Sequence, residues 1–157
     1  MAIYQFTIEL IPSAWTEKNK NSAIDLLVGA EGYDTSIAWQ PAKSAKSVEP
    51  LLSNIMPSKE AWHENLRAWG NEESNDIQLW VENGNIDSLK IRFDLRNDTE
   101  DLKIKVIDCS KKLSCDIFIP DTKEIIKPDI DALSKVISKS SAARFVENPE
   151  KFFNEKI

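Results

Sequence analysis

His63 is the only histidine in the chain and is therefore the first residue to consider as a general acid or base. Such a role requires a nucleophile or an orienting carboxylate within hydrogen-bond reach of the imidazole. A helix predicted around His63 would give it Glu60 and Arg67 as neighbours, and this spacing matches no catalytic pattern. We therefore assign no catalytic residue. The alternative to a binding function, a small enzyme that uses His63 and nearby carboxylates, is kept as a second hypothesis.

The other side chains that could bind a metal do not indicate a metal site. Structural zinc takes four ligands, whereas Cys109 and Cys115 are the only cysteines and His63 lies about 46 residues upstream. Acids crowd the stretch 94–101, but the residue order and central glycine of an EF-hand loop are missing. Acids at a helix start stabilise the helix without any metal. A glycine-rich phosphate loop is also missing, so we expect neither a metal nor a cofactor.

The cysteines and the first residues indicate the cellular compartment. Cys109 follows a helical pattern and Cys115 opens an apolar run, so both are expected to stay reduced and to pack as small hydrophobic residues. The opening stretch MAIYQFTIEL has neither the basic region nor the cleavage site of a secretory signal. We therefore expect a cytoplasmic protein.

The negative charge of the chain is concentrated in one segment. The net charge is −6, and residues 60–87 contain seven acids against Arg67 as their only base, so this segment alone accounts for the excess. Nucleic-acid binding normally requires a basic face, so a nucleic-acid ligand is not expected. A basic protein is the better partner, because opposite potentials speed and orient the encounter.

Length and composition fit one soluble domain. The chain has 157 residues, of which 41% are hydrophobic and 29% are charged. A domain of this size buries roughly 70% of the surface of its extended chain. No run of about 18 apolar residues is present, so no membrane span is expected. We expect residues 1–157 to form a single α+β domain.

The clearest structural signal is a β-hairpin with strands over 76–82 and 86–95. A two-residue loop would mix core and solvent side chains on one face, which the alternation of a strand forbids. A three-residue loop over 83–85 instead pairs Ile77 with Ile91. The same register gives two further pairs, Leu79 with Leu89 and Asp76 with Arg92.

Alternation and helical spacing predict the remaining elements. From 76 to 140 the predicted order is ββαββα, within a mainly antiparallel sheet that has its helices packed mostly on one face. Further strands are predicted over 3–11, 115–119 and 123–127, with a short strand or ordered loop over 36–39, a mobile loop over 40–50 and a tail that docks through its phenylalanines.

Four helices are predicted. One extends over 14–29, one from Leu102 to Leu113 with Asp98 or Thr99 as its cap, and one begins at the cap Asp129. The fourth, over 59–70, is capped by Ser58 and carries Trp62, Leu66 and Trp69 on one apolar stripe.

Trp80 is the aromatic residue best placed for binding. It alternates with Leu79 and Val81 of the buried side, so it is expected on the opposite side, where it is either exposed or covered by the C-terminal tail or the loop over 40–50. An exposed aromatic residue beside acids is typical of a protein-binding surface. The predicted partner-binding residues are Glu72, Glu73, Asp76, Trp80 and Glu82.

Three stretches, MPSKEAWHENLRAWG, NDIQLWVENGNIDSLKIRFDLR and SSAARFVENPEKFF, resemble segments of small acidic bacterial proteins of unknown function. In size, acidity and α+β build the chain is also similar to toxin-immunity proteins as a class. The resemblance implies a protein-binding role and transfers no residue roles. With the acidic, Trp-containing segment, it predicts a non-catalytic module of the immunity type that inhibits a basic partner protein.

Overall fold

The structure, a computed structural model, describes residues 2–40 and 43–156. Within these ranges its centre is one antiparallel sheet of seven strands, in the spatial order β4 (Ser58–Lys59), β5 (Leu66–Gly70), β6 (Asp76–Glu82), β7 (Asn85–Asp94), β1 (Gln5–Pro12), β8 (Cys115–Ile119) and β9 (Glu124–Ile126). A separate hairpin consists of β2 (Val28–Gly29) and β3 (Gly32–Tyr33). The α-helices are α1 (Ser13–Lys18), α2 (Ala23–Leu27), α3 (Glu49–Ser53), α4 (Glu100–Lys112), α5 (Ile130–Ser138), α6 (Ser141–Glu147) and α7 (Pro149–Lys156). The predicted α+β class with an antiparallel sheet is confirmed.

The central sheet has a core face and a polar face, which alternate along β1. Phe6, Ile8 and Leu10 point to the core face and belong to the main hydrophobic cluster, which also includes residues of α3, α4, α5 and α6. Gln5 and Glu9 alternate with them and define the polar face. Four helices thus cover the core face, in agreement with the prediction that the helices pack mostly on one face.

The polar face becomes apolar at the end of β1, where α1 and α2 cover it. Ile11 of β1 packs there in a second hydrophobic cluster with Trp15 and Leu27. The single helix predicted over 14–29 is wrong, because α1 ends at Lys18 and Asn19 caps it. Both the backbone N–H and the side-chain amide of Asn19 donate to the Trp15 carbonyl.

The central hairpin has the predicted register but a different turn. Its strands pair Ile77 with Ile91, Leu79 with Leu89 and Asp76 with Arg92. The predicted three-residue loop is wrong, since Glu82 pairs with Asn85 and only Asn83 and Gly84 form the turn, both with positive φ (52° and 79°). A β-bulge next to Trp80 adds one residue to β7. The bulge restores the register that a two-residue loop alone would shift.

The helix predicted over 59–70 is also wrong, because this stretch folds as a second hairpin, β4 and β5, beside β6. Ser58 pairs with Trp69 and is not a helix cap. Leu66 and Trp69 are buried on opposite faces of β5, and Trp62 is 63% exposed in the loop between the strands. Short apolar runs do not distinguish a helix from a strand, and here pairing with β6 decides the outcome.

The stretch 40–50, predicted as a mobile loop, is fixed to the central hairpin in its described part. Its residues 41–42 lie outside the described ranges. The Ala45 N–H donates to the Gly84 carbonyl at 3.0 Å, and Val48 is fully buried. A surface loop with a buried anchor and a backbone bond to a hairpin is ordered, so the prediction fails here.

Other predicted elements agree with the structure. The predicted cap Asp129 is confirmed, since it accepts from the N–H of Ala132. The N-cap of α4 is Thr99, one of the two predicted candidates; its side chain makes no capping bond, and Asp98 accepts from the N–H of Glu100. The tail docks through Ala142, which belongs to the main hydrophobic cluster, while the buried Phe152 lies beside the rings of Phe145 and Phe153 of the tail itself. The predicted elements β1, β8, β9, α4 and α5 are confirmed, as is the order ββαββα from β6 to α5. The stretch predicted as a short strand or ordered loop over 36–39 is a 3₁₀ helix, Ser36–Trp39.

The cysteines pack as the sequence predicts. Cys109 and Cys115 are free thiols in the core. Burial raises the pKa of Cys109 to about 11 and that of Cys115 to about 12, so both thiols stay protonated near neutral pH. Among the described helices, none is long and apolar enough to cross a membrane.

Candidate functional site

Three aromatic side chains form a cluster beside the last residues of β6. Trp80 projects from the polar face, since it alternates with the buried Leu79 and Val81. Its ring centroid lies 5.5 Å from that of Trp62 and 5.4 Å from that of His63. Trp62 stays 63% exposed, whereas Trp80 is half-buried. We call Trp62, His63 and Trp80 the aromatic cluster, because the first two rings lie against that of Trp80.

The loop between β4 and β5 holds two of these rings against the third. The backbone N–H of Asn65 donates to His63 Nδ1 at 3.0 Å, which orients the imidazole. The N–H of Val81 donates to the Asn65 carbonyl at 2.8 Å and ties the loop to β6. Leu66, the cross-strand partner of Trp80, is 1% exposed and gives the cluster a packed base. The cluster is therefore preorganised for contact with a ligand or partner.

Acidic side chains border the aromatic cluster. Glu82 lies two residues beyond Trp80, and Asp87 precedes Ser88, the cross-strand partner of Trp80. Burial raises the pKa of Asp87, and the negative charges of Glu82 and Asp34 raise it further. We call Asp34, Glu82 and Asp87 the acidic triad, in which Glu82 and Asp34 each repel Asp87. A bound cation would relieve this repulsion.

Asp76, one of the five predicted partner-binding residues, is engaged inside the protein. It is 1% exposed, and its two carboxylate oxygens accept hydrogen bonds from Nε and Nη2 of Arg92 at 2.6 and 2.5 Å. These bonds are the main cause of the raised pKa of Arg92. The sequence predicted the pair but not its burial. Because Arg92 balances its charge, Asp76 has no free charge for a partner.

Glu72 and Glu73 lie in the turn between β5 and β6, at the opposite end of β6 from Glu82. A strand rises about 3.3 Å per residue, so these two ends are roughly 20 Å apart. Glu72 is half-buried, its Oε1 is shielded from solvent without a hydrogen bond to any described residue, and its charge acts on Arg92. Glu73 is exposed. Of the five predicted residues, the structure therefore places only Trp80 and Glu82 at the aromatic cluster.

The geometry around His63 does not assemble a catalytic centre. The imidazole is exposed, and its Nδ1 accepts from the backbone of Asn65. No carboxylate of the described residues forms a hydrogen bond with it, and these residues contain no group of three or more His, Cys, Asp or Glu placed to hold a metal ion. The acids at 94–101 have structural partners, such as Arg96 on Asp94. No observation here favours the enzyme alternative.

Sequence reasoning missed four members of this surface, among them His63, which was considered only as a catalytic residue. Trp62 was assigned to a helical stripe, and the alternation of Leu66, Arg67 and Ala68 was the signal that could have corrected the assignment. Asp34 and Asp87 carry no local signal, since a separate loop and a bulge place them.

Comparisons of this chain with protein-family models, with curated proteins and with solved structures found no match.

Proposed function

We propose that this protein is a non-catalytic binding module that takes up a basic segment of a partner protein. The observation that carries the proposal is the contact of a mostly exposed indole, Trp62, with Trp80 and His63 beside the acidic triad. Aromatic residues in a preorganised cluster are the usual anchors of protein interfaces. The triad adds the charge that a basic partner needs.

A lysine or arginine side chain of the partner suits this surface for two physical reasons. A cation within about 6 Å of an indole centroid is attracted by the ring quadrupole, by about 0.5–2 kcal/mol depending on desolvation. The same cation would offset the repulsion within the acidic triad. The two effects act at one place, because Trp80 and Glu82 lie on the same strand.

The sharper form of the proposal is an immunity-type inhibitor that covers a basic partner in the cytoplasm. It is supported by the net charge of −6, which the segment 60–87 alone accounts for. Such a charge accelerates encounter with a basic protein and disfavours nucleic acid. The turn with Glu72 and Glu73 would then contribute to long-range attraction, while Trp62 and Trp80 would make the contact.

The first experiment is affinity capture with matched baits, followed by mass spectrometry and by measurement of Kd for the captured protein. The baits are the wild type, Trp62→Ala and the control Phe153→Ala, which removes a comparably exposed aromatic side chain (51%) from α7. Trp62→Ala should weaken the complex by about 2 kcal/mol, or roughly 30-fold, as loss of an aromatic anchor does. The Phe153 variant should bind as the wild type does.

Charge reversals then locate the contact. Reversing Glu82 and Asp87 to Lys should weaken the complex through both association and dissociation, because these acids border the aromatic cluster. Reversing Glu72 and Glu73 should mainly slow association, with a loss that shrinks at high salt. A captured partner that is not basic, or one whose affinity is unchanged in Trp62→Ala, contradicts the proposal.

A further inference from the structure

A cavity of about 690 Å³ opens on the polar face, and none of the aromatic cluster lines it. Its floor is the first half of β1 and the neighbouring part of β7, from Gln5 to Thr7 and from Lys90 to Arg92. β8 pairs with β1 only from Glu9 onward, so the cavity extends past the side of β1 where that strand has not yet joined. The volume falls within the range of small-molecule sites.

The walls of the cavity combine apolar and cationic side chains. Ile3, Val28 and Pro120 come from three separate segments and provide apolar surface. Lys90 and Lys123 also line it, and neither forms a salt bridge with another described residue. This is an unusual concentration of available positive charge in a chain of net charge −6.

Arg92 also lines the cavity, where Asp76 balances its charge. Its Nε and Nη2 are used by Asp76, whereas Nη1 has no hydrogen-bond partner among the described residues. The one carboxylate in the lining is the exposed Asp121. Positive groups thus outnumber negative ones around the cavity.

Glu9, a buried acid opposite the cavity-lining Lys90, is committed to protein partners. Glu9 Oε1 accepts from Thr35 Oγ1 at 2.6 Å, and the Tyr33 hydroxyl also donates to the Glu9 carboxylate. The pKa of Glu9 is raised, mainly because its carboxylate is buried. Lys90 faces Glu9 across the strands and makes no salt bridge with it, so the Lys90 ammonium stays available to the cavity.

We propose that this cavity binds a small organic acid, whose carboxylate lies against Lys90 and Lys123 and whose apolar body lies against Ile3, Val28 and Pro120. A carboxylate is favoured over a neutral polar group, because the cationic donors would then form charge-assisted hydrogen bonds. A cationic ligand is disfavoured by the same groups. This site does not depend on the proposed protein-binding surface.

The test is an NMR titration of the ¹⁵N-labelled protein with 3-phenylpropanoate, its neutral alcohol 3-phenylpropan-1-ol and its cationic analogue 3-phenylpropylammonium. We expect saturable shifts at Thr7, Tyr33 and Lys90 with a Kd of about 1 mM or tighter for the acid, as suits a ligand of this size. Lys90→Gln and Lys123→Gln should each weaken the acid by about tenfold. The control Lys135→Gln, on the exposed side of α5, should have no effect.

Three results would overturn the proposal. They are an absence of saturable shifts up to about 10 mM acid, equal binding of the ammonium analogue, or equal affinities in the Lys90 and Lys135 variants. The amide spectrum of each variant reports its folding in the same experiment. If Lys90→Gln does not fold, the Lys123 variant decides the outcome alone, since Lys123 is exposed in a turn.

Discussion

Removal of the Arg92 side chain tests whether Asp76 supports the fold or is free to meet a partner. The side chains of Asp76 and Arg92 are 2% and 11% exposed, and two hydrogen bonds join them across β6 and β7. In Arg92→Met the nearest donor left to Asp76 is Gln78 Nε2, at 3.4 Å. A buried carboxylate without its cation costs about 3–5 kcal/mol, so this is the loss we expect.

The partner variant should lose less. Asp76→Asn keeps an acceptor oxygen for Arg92, whose charge is still met by Glu72, so we expect a loss of about 2 kcal/mol. The double variant should be more stable than the sum of the two losses predicts, because neither charge is then left unpaired. Arg96→Met is the control: the Arg96 side chain is 50% exposed, and Asp94 keeps a hydrogen bond from Asn97, so this variant should lose much less stability than Arg92→Met.

Urea unfolding followed by circular dichroism at pH 7 measures all four variants. If Arg92→Met lies within about 1 kcal/mol of the wild type, the pair does not stabilise the fold as the geometry indicates. Strict additivity in the double variant would refute the reasoning equally, since it would mean that the two side chains are not coupled. In either case Asp76 would again be a candidate for partner contact.

Three further predictions concern single positions. In chemical denaturation, Trp62→Ala should lower the free energy of unfolding by about 1 kcal/mol and Trp80→Ala by about 2–3 kcal/mol, because Trp80 is half-buried and Trp62 is mostly exposed. Equal losses would contradict these exposures. Gly70→Ala should lower the free energy of unfolding by about 3 kcal/mol or more, because φ is +80° and a Cβ would meet Asn75 O and Met56 Sδ. Gly84→Ala should lower it by only about 1 kcal/mol in the same assay, because φ is +79° but a Cβ would meet open space. The folded-state pKa of Asp87 is raised, so the stability of the protein falls as pH rises through this pKa. In a pH series of thermal melts, Asp87→Asn should therefore be more stable than the wild type by at most about 0.5 kcal/mol at pH 7 and equally stable below about pH 3.8.

The strands were predictable wherever alternation extended over a whole strand. β1 alternates polar and apolar residues, and the pairing of Ile77 with Ile91 followed from the requirement that core residues share a face. The three-residue loop was wrong for an instructive reason. The pattern fixes which residues pair, but a loop and a bulge can absorb the extra residue equally well, and Asn83-Gly84 strongly favours the two-residue turn.

The candidate site was only partly predictable, because tertiary contacts assemble it. Trp62, Leu66 and Trp69 have helical spacing, but β6 offers an edge with which this stretch can pair, and the sequence does not encode that choice locally. Gly70 would end the helix predicted over 59–70, whereas its positive φ is needed where β5 turns towards β6. Trp80 was placed on the correct face; its neighbour Trp62 depended on the hairpin that the helix prediction excluded.

The charges along β7 separate the two proposed sites on the polar face. Asp87 lies in the bulge near Trp80, whereas Lys90 and Arg92 lie further along the same strand, beside the cavity. Surface charges act over roughly 8 Å at physiological ionic strength, so Asp87 acts mainly at the aromatic cluster and Arg92 mainly at the cavity. Asp34 is the exception, because it follows the cavity-lining Tyr33 and its charge acts on Glu9 as well as on Asp87. Trp62→Ala should therefore leave binding of the organic acid unchanged, and Lys90→Gln should leave capture of the basic partner unchanged. If either variant altered both activities, the acidic end and the cationic cavity would have to act as one site.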